Sequence, residues 1–252
     1  MTFSTWYRDE TLWCRIYPYM LNADRQRRTP KEVDGIITLL NLQQNDAILD
    51  LACGDGRQLR ELARRGFANL TGVDLTNFYI DIARQRALEE QISIQFQTGD
   101  MLYFQQPDTY DDVLLLFSSF GFFEQPADNL RVLQNAYQSL KRGGKLLVDV
   151  RSKESFAYTF DAESWSELGA GNFLLTKRIP LLDFSVLENR WMLIEQGFAT
   201  ELTFWHWIYS AAELKSMFES AGFVNVAAYG SEDGRAFMPQ SPRLIVIGQK
   251  PT

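Results

Sequence analysis

Three aspartates stand at positions where a β-sheet can hold a ligand. Asp50, Asp74 and Asp100 each end or follow a short stretch that is predicted to be a strand. Between the first two, the sequence Cys-Gly-Asp-Gly contains Gly54 and Gly56, which allow a tight turn and a close approach of the backbone to a ligand. Carboxylates at such positions can accept hydrogen bonds from ribose hydroxyls and can lie near an ammonium group. The set favours a nucleoside ligand that carries positive charge.

The glycine turn matches neither of the two common phosphate-binding patterns. A dinucleotide fingerprint needs a third glycine, and Gln58 occupies that place. A P-loop needs Gly-Lys followed by Ser or Thr, which this turn lacks. Three carboxylates around one turn also disfavour a pyrophosphate. A nucleotide-dependent oxidoreductase is therefore disfavoured.

Several of these residues also have a purely structural interpretation. Asp74 could cap the helix that follows it, and the Gly-Asp pair at Asp100 could begin an ordinary turn. Cys53 is more typical of a small buried residue than of a nucleophile, since no base lies near it in the sequence. These alternatives stay open at the level of the sequence.

The elements that would position the aspartates alternate between strand and helix. Stretches with helical apolar spacing separate most of the predicted strands, so we predict an α/β, Rossmann-like fold: a mostly parallel seven-stranded sheet with helices on both faces. Ligands of such sheets bind beyond the carboxyl ends of the parallel strands. The predicted strands are residues 48–51, 69–74, 93–97, 111–117, 145–150, 223–229 and 243–249.

The alternation is interrupted after the fifth strand, where an antiparallel β insert is predicted. All six tryptophans lie before residue 14 or after residue 164, so the N-terminal cap and the insert are expected to pack together. We predict a core of residues 1–151 and 209–252, with an N-terminal helical cap, and a substrate-covering insert of residues 152–208. The strands predicted in the insert, with no helix between them, are residues 172–178, 184–194 and 200–208.

Composition limits the classes of partner. The 252 residues carry a net charge of −7 and a pI near 4.9, which argues against nucleic acid as the main partner. The first ten residues are charged where a signal peptide needs an apolar core, and no stretch is long and apolar enough for a membrane span. Cys14 and Cys53 form neither a disulfide framework nor a metal-binding pair, so a cytoplasmic location and no metal are expected.

Read in order, the motifs resemble those of the class I S-adenosylmethionine-dependent methyltransferases. The similar stretches are DLACGDG, TGVDLT, TGDM, YDDVLLLFSSFGFF and LKRGGKLLVDV. Each motif alone is weak, but five in the right order, each with a strand before it, are specific. The resemblance covers residues 30–151 and 210–250. The SSFGFF stretch and the insert are similar to the small-molecule branch, which includes sugar-amine and glycine-type N-methyltransferases.

The resemblance implies S-adenosyl-L-methionine as cofactor and S-adenosyl-L-homocysteine as product. It also implies which residues bind the cofactor. They are, for the methionine part, Asp50, Ala52, Cys53, Gly54 and Gly56; for the ribose, Asp74; for the adenine, Leu75, Asp100, Met101 and Leu102; and for the sulfonium and methyl group, Phe117 and Ser118.

The acceptor site is predicted where the irregular segments meet above the sheet. The N-terminal cap, the insert and residues 230–242 are expected to form a lid that excludes water. His206 and Tyr209 are the candidates for a general base, which is needed only if the acceptor must lose a proton. His206, between two tryptophans, fits a structural role equally well. Candidate substrate-binding residues are Tyr7, Phe122, Arg151, Trp207 and Arg235.

We therefore predict methyl transfer to a nitrogen or oxygen of a small-molecule acceptor, with neither nucleic acid nor membrane as partner. The alternative from another class is a non-catalytic protein that binds the cofactor on the same fold.

Overall fold

A computed structural model describes residues 5–252, so residues 1–4 of the predicted cap lie outside the described residues. Two sheets are present in this range, and the larger one confirms the predicted α/β architecture. The strands are β1 (Ala47–Leu51), β2 (Asn69–Asp74), β3 (Gln95–Thr98), β4 (Tyr110–Leu115), β5 (Leu140–Val150), β6 (Glu163–Gly169), β7 (Asn172–Leu181), β8 (Val186–Glu195), β9 (Phe198–Trp207), β10 (Val224–Tyr229) and β11 (Leu244–Gln249).

The larger sheet has seven strands in the order β10-β11-β5-β4-β1-β2-β3. Five strands, β5, β4, β1, β2 and β3, pair in parallel with one another. Strand β11 runs antiparallel to both of its neighbours, β5 and the edge strand β10. Side chains of β1 alternate between two apolar clusters: Ile48 packs into one and Leu49 into the other. The sheet is thus covered on both faces, as a parallel sheet requires.

Helices cover both faces of this sheet and precede it at the N-terminus. Asp9 and Asn22 cap the first two α-helices, each accepting a hydrogen bond from a backbone N–H three residues later. Ser210 and Glu213 form a capping box at the start of the last helix. After a short 3-10 helix (Trp6–Arg8), the helices are α1 (Glu10–Met20), α2 (Ala23–Leu40), α3 (Arg57–Arg64), α4 (Asn77–Glu89), α5 (Pro126–Ser139), α6 (Lys153–Tyr158) and α7 (Ala211–Ser220).

The insert departs from the prediction in having four strands. The sheet β6-β7-β8-β9 is antiparallel throughout, and its first strand was not predicted. That strand has mostly exposed side chains, so it lacks the apolar alternation that would reveal it in a sequence. Helix α6, also not predicted, begins at a Ser152 cap directly after β5.

Strand β5 begins earlier than predicted, at Leu140 instead of residue 145. The pair Gly143-Gly144 lies inside this strand and does not form a break between helix and strand. A Cβ on Gly144 would lie 2.7 Å from the carbonyl oxygen of Asp111, so glycine is required by the close approach of two chains.

The N-terminal cap and the insert pack together, as the distribution of tryptophans predicts. The indole N–H of Trp6 donates to the carbonyl of Trp205 at 2.9 Å, and its ring lies 4.8 Å from that of Phe204. The insert joins the core where the backbone N–H of Trp207 donates to the carbonyl of Gly121 at 2.7 Å. Within residues 5–252, no helix has the length and apolarity needed to cross a membrane.

Candidate functional site

The strand order reverses between β1 and β4. The chain runs from β1 outward to β2 and β3 on one side, and β4 and β5 lie on the other. At such a switch point the loops after the two central strands separate and leave a crevice. Residues 52–56 and 116–119 form these two loops, and a cavity lies between them.

In the loop after β1, three residues have positive φ angles, which residues with a side chain seldom adopt. Ala52, Gly54 and Gly56 have φ values of 57°, 55° and 69°, in the left-handed region. A Cβ on Gly56 would lie 2.6 Å from the Phe96 ring, whereas a Cβ on Gly54 would have only a side-chain atom at 4.0 Å near it. Gly56 is therefore required by packing, and Gly54 leaves open space on the cavity wall.

Asp50 is a buried carboxyl with unused hydrogen-bonding capacity. Its side chain is 1% exposed, and its Oδ1 has no hydrogen-bond partner among the described residues. Burial raises the pKa of Asp50 to about 8, with nearby Arg57 opposing the rise. A cationic ligand group in the cavity would supply the missing partner and favour the carboxylate.

Asp74 serves the structure of the turn as well as the cavity. One carboxylate oxygen accepts a hydrogen bond from the N–H of Gly54 at 2.9 Å. The other accepts bonds from the N–H and hydroxyl of Thr76, at 3.0 and 3.1 Å. Burial raises the pKa of Asp74, and these hydrogen bonds oppose the rise. The oxygen that bonds to Gly54 keeps a further lone pair, so the structural interpretation and a ligand contact are compatible.

Asp100 is engaged by the N-terminal cap. Its Oδ1 accepts a hydrogen bond from the N–H of Leu102 at 2.9 Å, as in an ordinary Asx turn. Its Oδ2 forms an ion pair with Arg8 at 2.5 Å. Asp100 and Met101 line the cavity, but Leu102 is buried in the apolar core cluster that includes Leu49 and Val73 of the sheet.

The cavity brings together most of the residues predicted to bind the cofactor. Gly56, Leu102 and Ser118 do not line it. Cys53 lines it as a buried thiol whose pKa is raised by burial and by the nearby aspartates, which fits a packing role. The predicted residues on its wall are Asp50, Ala52, Cys53, Gly54, Asp74, Leu75, Asp100, Met101 and Phe117.

Sequence reasoning missed two charged residues of the glycine turn. Asp55 is 1% exposed, and one of its oxygens accepts hydrogen bonds from Gln26 of α2 at 3.2 Å and from Arg86 of α4. Arg57 is 3% exposed; its Nη1 bonds to Thr29 at 2.7 Å, and its Nη2 has no partner among the described residues. Their position in the sequence is a usable signal: Asp55 and Arg57 are charged residues within or next to a glycine turn, at the start of an amphipathic helix.

The loop after β4 is also strained. Phe117 and Ser118 have consecutive φ values of 57° and 61°, which non-glycine residues seldom adopt. Asp149 at the end of β5 holds them: its carboxylate accepts from the N–H of Phe117 at 3.3 Å, and its carbonyl accepts from that of Ser118 at 2.9 Å. Strain retained at a ligand crevice indicates a functional constraint.

Three arginines surround the Phe117 ring. The guanidinium carbons of Arg57, Arg25 and Arg243 lie 4.1, 4.7 and 5.8 Å from its centroid. These are cation–π distances. Phe117 thus connects the first cavity with a cationic region behind it.

A second cavity of about 920 Å³ lies on the far side of Phe117. Ser118 and Arg151 line this cavity and not the first. The two cavities share part of their walls and so meet at the end of β4. The shared residues are Met20, Arg25, Gln58, Leu116 and Phe117.

The residues predicted to bind the methyl acceptor do not line a single cavity. Tyr7 and Phe122 line the first cavity, and Arg151 lines the second. Trp207 lines a smaller pocket beside the second cavity, where its indole N–H donates to the carbonyl of Glu124 at 3.2 Å. Arg235 lines none of these three cavities; its side chain is 82% exposed and pairs with Asp233.

His206 and Tyr209 line that smaller pocket and neither of the two larger cavities. The amide of Asn189 donates to Nδ1 of His206 at 3.2 Å, so the neutral ring carries its proton on Nε2. Burial lowers the pKa of His206 to about 4. Burial also raises the pKa of Tyr209. Residues 5–252 contain no group of histidine, cysteine and acidic side chains that could hold a metal ion.

Comparison with known sequences identifies the part of the chain that carries this site. The family model described as a methyltransferase domain matches residues 48–144. The ubiquinone biosynthesis O-methyltransferase of Aeromonas salmonicida (strain A449) is 32% identical over 113 residues, which are 44% of this chain and 45% of that protein. The chain therefore matches less than half the length of this curated relative.

Solved structures share the fold over nearly the whole chain. The CcbJ methyltransferase from Streptomyces caelestis has a TM-score of 0.75 at 17% identity, covering 89% of this chain and 90% of that one. The S-adenosylmethionine-bound CalS10, an amino pentose methyltransferase from Micromonospora echinaspora, has a TM-score of 0.67 at 21% identity, covering 90% and 94%. At these identities the likeness shows a common fold.

Proposed function

We propose that this chain, which carries a class I S-adenosylmethionine-dependent methyltransferase domain, transfers a methyl group to a nitrogen or oxygen of a small-molecule acceptor. S-adenosyl-L-methionine is the cofactor of this family. The observation that carries the proposal is a pair of buried polar atoms without hydrogen-bond partners, on ionisable side chains that line one cavity: Oδ1 of Asp50 and Nη2 of Arg57.

These two atoms fit the amino acid end of the cofactor. An ammonium group needs an acceptor such as Asp50, and a carboxylate needs a donor such as Arg57. One oxygen of Asp74 has a lone pair left for a ribose hydroxyl. Leu75, Tyr79 and Met101 give the cavity an apolar part that suits an adenine ring. The amino acid end, the ribose and the adenine of the cofactor therefore each have a matching group on the cavity wall.

When bound, S-adenosyl-L-methionine supplies a methyl group on a positively charged sulfur, already activated for displacement by a nucleophile. The chain's own residues bind, orient and exclude water. Phe117 separates the cofactor cavity from the second cavity, so an acceptor in the latter would approach past its ring. Holding two reactants in line is the main contribution the protein makes to such a reaction.

The one histidine of the chain, His206, lines neither of the two larger cavities and so is not placed to act as a general base there. His206, with a pKa near 4, stays neutral at pH 7 and is a weak proton acceptor. An amine acceptor can give its proton to water before it reacts, whereas a hydroxyl needs a base. This favours nitrogen over oxygen as the acceptor atom.

The insert supports the proposed lid. Residues 152–208 contribute Trp191 to the wall of the second cavity, opposite residues of α2. The acidic composition supports a small molecule over nucleic acid as acceptor, and the cytoplasmic location predicted from the cysteines remains part of the proposal.

Thermal unfolding in the presence of either of two ligands, S-adenosyl-L-homocysteine or NAD, tests the cofactor assignment. A ligand that binds only the folded state stabilises it, by about 2.7 kcal/mol at a concentration 100 times its Kd. We expect S-adenosyl-L-homocysteine to raise the Tm and NAD to leave it unchanged. The reverse result would reject the proposal.

Transfer of labelled methyl from the cofactor to a panel of amines and hydroxy compounds, followed by mass spectrometry, separates an enzyme from the non-catalytic alternative. Cofactor binding with no labelled product across a broad panel would favour the alternative.

A further inference from the structure

The second cavity is rich in cations in a protein that is acidic overall. Its wall carries five cationic side chains, whereas the whole chain has a net charge of −7. The five are Arg25, Arg28, Lys31, Arg151 and Arg243.

The acidic side chains of the same wall are already paired. Asp149 pairs with Arg243 at 2.6 Å, and Glu232 pairs with Lys31 at 3.7 Å. The other two acids are bound by arginines outside the set, Glu32 by Arg57 and Asp24 by Arg27. In the described part of the chain, Arg25, Arg28 and Arg151 have no carboxylate partner. The carboxylates of this wall therefore do not neutralise these three arginines.

Two of these unpaired guanidinium groups are held in place by aromatic rings. Arg25 lies 4.7 Å from the centroid of Phe117, and Arg151 lies 4.2 Å from that of Phe156. Arg151 also donates one hydrogen bond, from Nη2 to the hydroxyl of Thr159 at 2.8 Å. The remaining N–H donors of both groups are left for a ligand. Preorganised donors of this kind lower the entropic cost of binding.

The cations repel each other in the absence of an anion. Burial lowers the pKa of Arg25, and the nearby Arg57, Arg243 and Arg28 lower it further, with Glu32 opposing the change. Burial likewise lowers the pKa of Arg151, with Arg178 and Arg243 adding to the effect. An anion between them would relieve both costs.

A buried donor at the same place also lacks a partner. Nη2 of Arg243 is inaccessible to solvent and has no hydrogen-bond partner among the described residues, while its Nε bonds to Asp149. Such donors are rarely left unpaired without a functional reason. The guanidinium carbon of Arg243 lies 5.8 Å from the Phe117 centroid, and Arg243 and Arg151 both line the second cavity and the adjoining small pocket.

We propose that the second cavity binds the methyl acceptor through an anionic group, a carboxylate or a phosphate, held by Arg25, Arg151 and Arg243. The proposal rests on the proposed function, since it takes the cavity that meets the cofactor site at Phe117 as the acceptor site. It narrows the acceptor class to an amine or hydroxy compound that carries a separate negative charge.

Anion binding to the cofactor-saturated protein tests the proposal directly. Calorimetric titrations would use protein saturated with S-adenosyl-L-homocysteine, with inorganic phosphate and benzoate as separate probes. We expect at least one probe to bind, and the stronger one indicates which anion the acceptor carries. Arg151→Gln should weaken that binding about tenfold or more, since it removes a charge-assisted contact. Arg131→Gln, which removes an equal charge from the exposed face of α5, should leave it unchanged.

Two results would overturn the inference. In the first, neither anion binds to wild-type protein that does bind S-adenosyl-L-homocysteine. In the second, Arg151→Gln binds the probe as tightly as the control Arg131→Gln and the wild type. Failure of S-adenosyl-L-homocysteine itself to bind would instead reject the proposed function. The two failures are therefore distinguishable in one experiment.

A kinetic comparison gives an independent readout. With an amino acid acceptor and its uncharged amide as a matched pair, Arg151→Gln should raise the KM of the carboxylate form and change that of the amide little. Equal changes for both forms would contradict a charge contact.

Discussion

The guanidinium of Arg57 lies over the ring of Phe117, with its carbon 4.1 Å from the ring centroid. Arg57 begins the helix after β1, and Phe117 follows β4, so the contact joins the two central strands at their carboxyl ends. It also forms the boundary between the two cavities. The position of this ring therefore determines how a cofactor and an acceptor would meet.

Phe117→Ala should impair methyl transfer more than cofactor binding. The substitution removes the ring that orders three guanidinium groups and separates the cavities, and a misplacement of about 1 Å can cost about 100-fold in rate. We expect kcat to fall by about that factor, while the Kd for S-adenosyl-L-homocysteine changes less than tenfold. Phe198→Ala, at a side chain that is 78% exposed on the insert, is the control. Unchanged turnover in Phe117→Ala would contradict the assignment.

Cofactor affinity should depend on pH through Asp50. Its pKa of about 8 in the free protein means that the carboxyl is largely protonated at pH 6 and must lose a proton when a cationic group binds. Affinity for S-adenosyl-L-homocysteine should therefore rise between pH 6 and 7.5, by at most about tenfold per pH unit. Calorimetry in buffers of different ionisation enthalpy would measure the released proton. Asp50→Asn should bind more weakly and with no such pH dependence; an unchanged slope would exclude Asp50 as its source.

Asp74→Ala should reduce both cofactor affinity and stability. The variant loses the hydrogen bonds from Gly54 and Thr76, which we expect to cost about 1–3 kcal/mol of unfolding free energy. Thr76→Val is a matched control, because it removes the hydroxyl bond to Asp74 and leaves the carboxylate in place. S-adenosyl-L-homocysteine binding should weaken at least about tenfold in Asp74→Ala only. Equal weakening in both variants would mean that the turn, and not a ribose contact, explains the loss.

Replacing each of the two glycines of the turn by alanine should affect different properties, the stability at Gly56 and cofactor binding at Gly54. Gly56→Ala places a Cβ 2.6 Å from the Phe96 ring in a left-handed backbone, so we expect a loss of about 2–4 kcal/mol in unfolding free energy. Gly54→Ala has the same backbone strain but open space, so it should destabilise less and weaken cofactor binding instead. Denaturant unfolding and ligand titration of both variants would check this. Similar stability of the two would argue against the packing difference.

His206 should affect acid stability and not turnover. Its pKa is about 4 in the folded protein against an ordinary value of 6.5, so the unfolded chain takes up the proton first as the pH falls. The stabilising contribution of the neutral ring is complete above pH 6.5 and is lost progressively between pH 6.5 and 4. His206→Gln should lose less stability across this window and keep methyl transfer within about threefold of wild type. A collapse of kcat at neutral pH would restore His206 as a general base.

The fold, and most of the residues that line the first cavity, could be predicted from the sequence because both rest on local patterns. Apolar strands, helical spacing and the glycine turn are each encoded within about ten residues, and Asp50 and Asp74 stand at strand ends where a parallel sheet places ligand groups. The antiparallel insert was found for the same reason, except for β6, whose exposed side chains carry no apolar period.

The second cavity and its cations depended on contacts between residues far apart in the chain. Arg25 lies in α2, Arg151 follows β5 and Arg243 precedes β11, and only the tertiary fold brings them to the wall of one cavity. No spacing rule connects such positions, because the residues between them form separate elements. The same holds for His206, which the insert places in a side pocket. The sequence thus determined the glycine turn and the aspartates of the cavity that we propose for the methyl donor. The tertiary structure decided which charges line the cavity that we propose for its acceptor, because those charges come from distant parts of the chain.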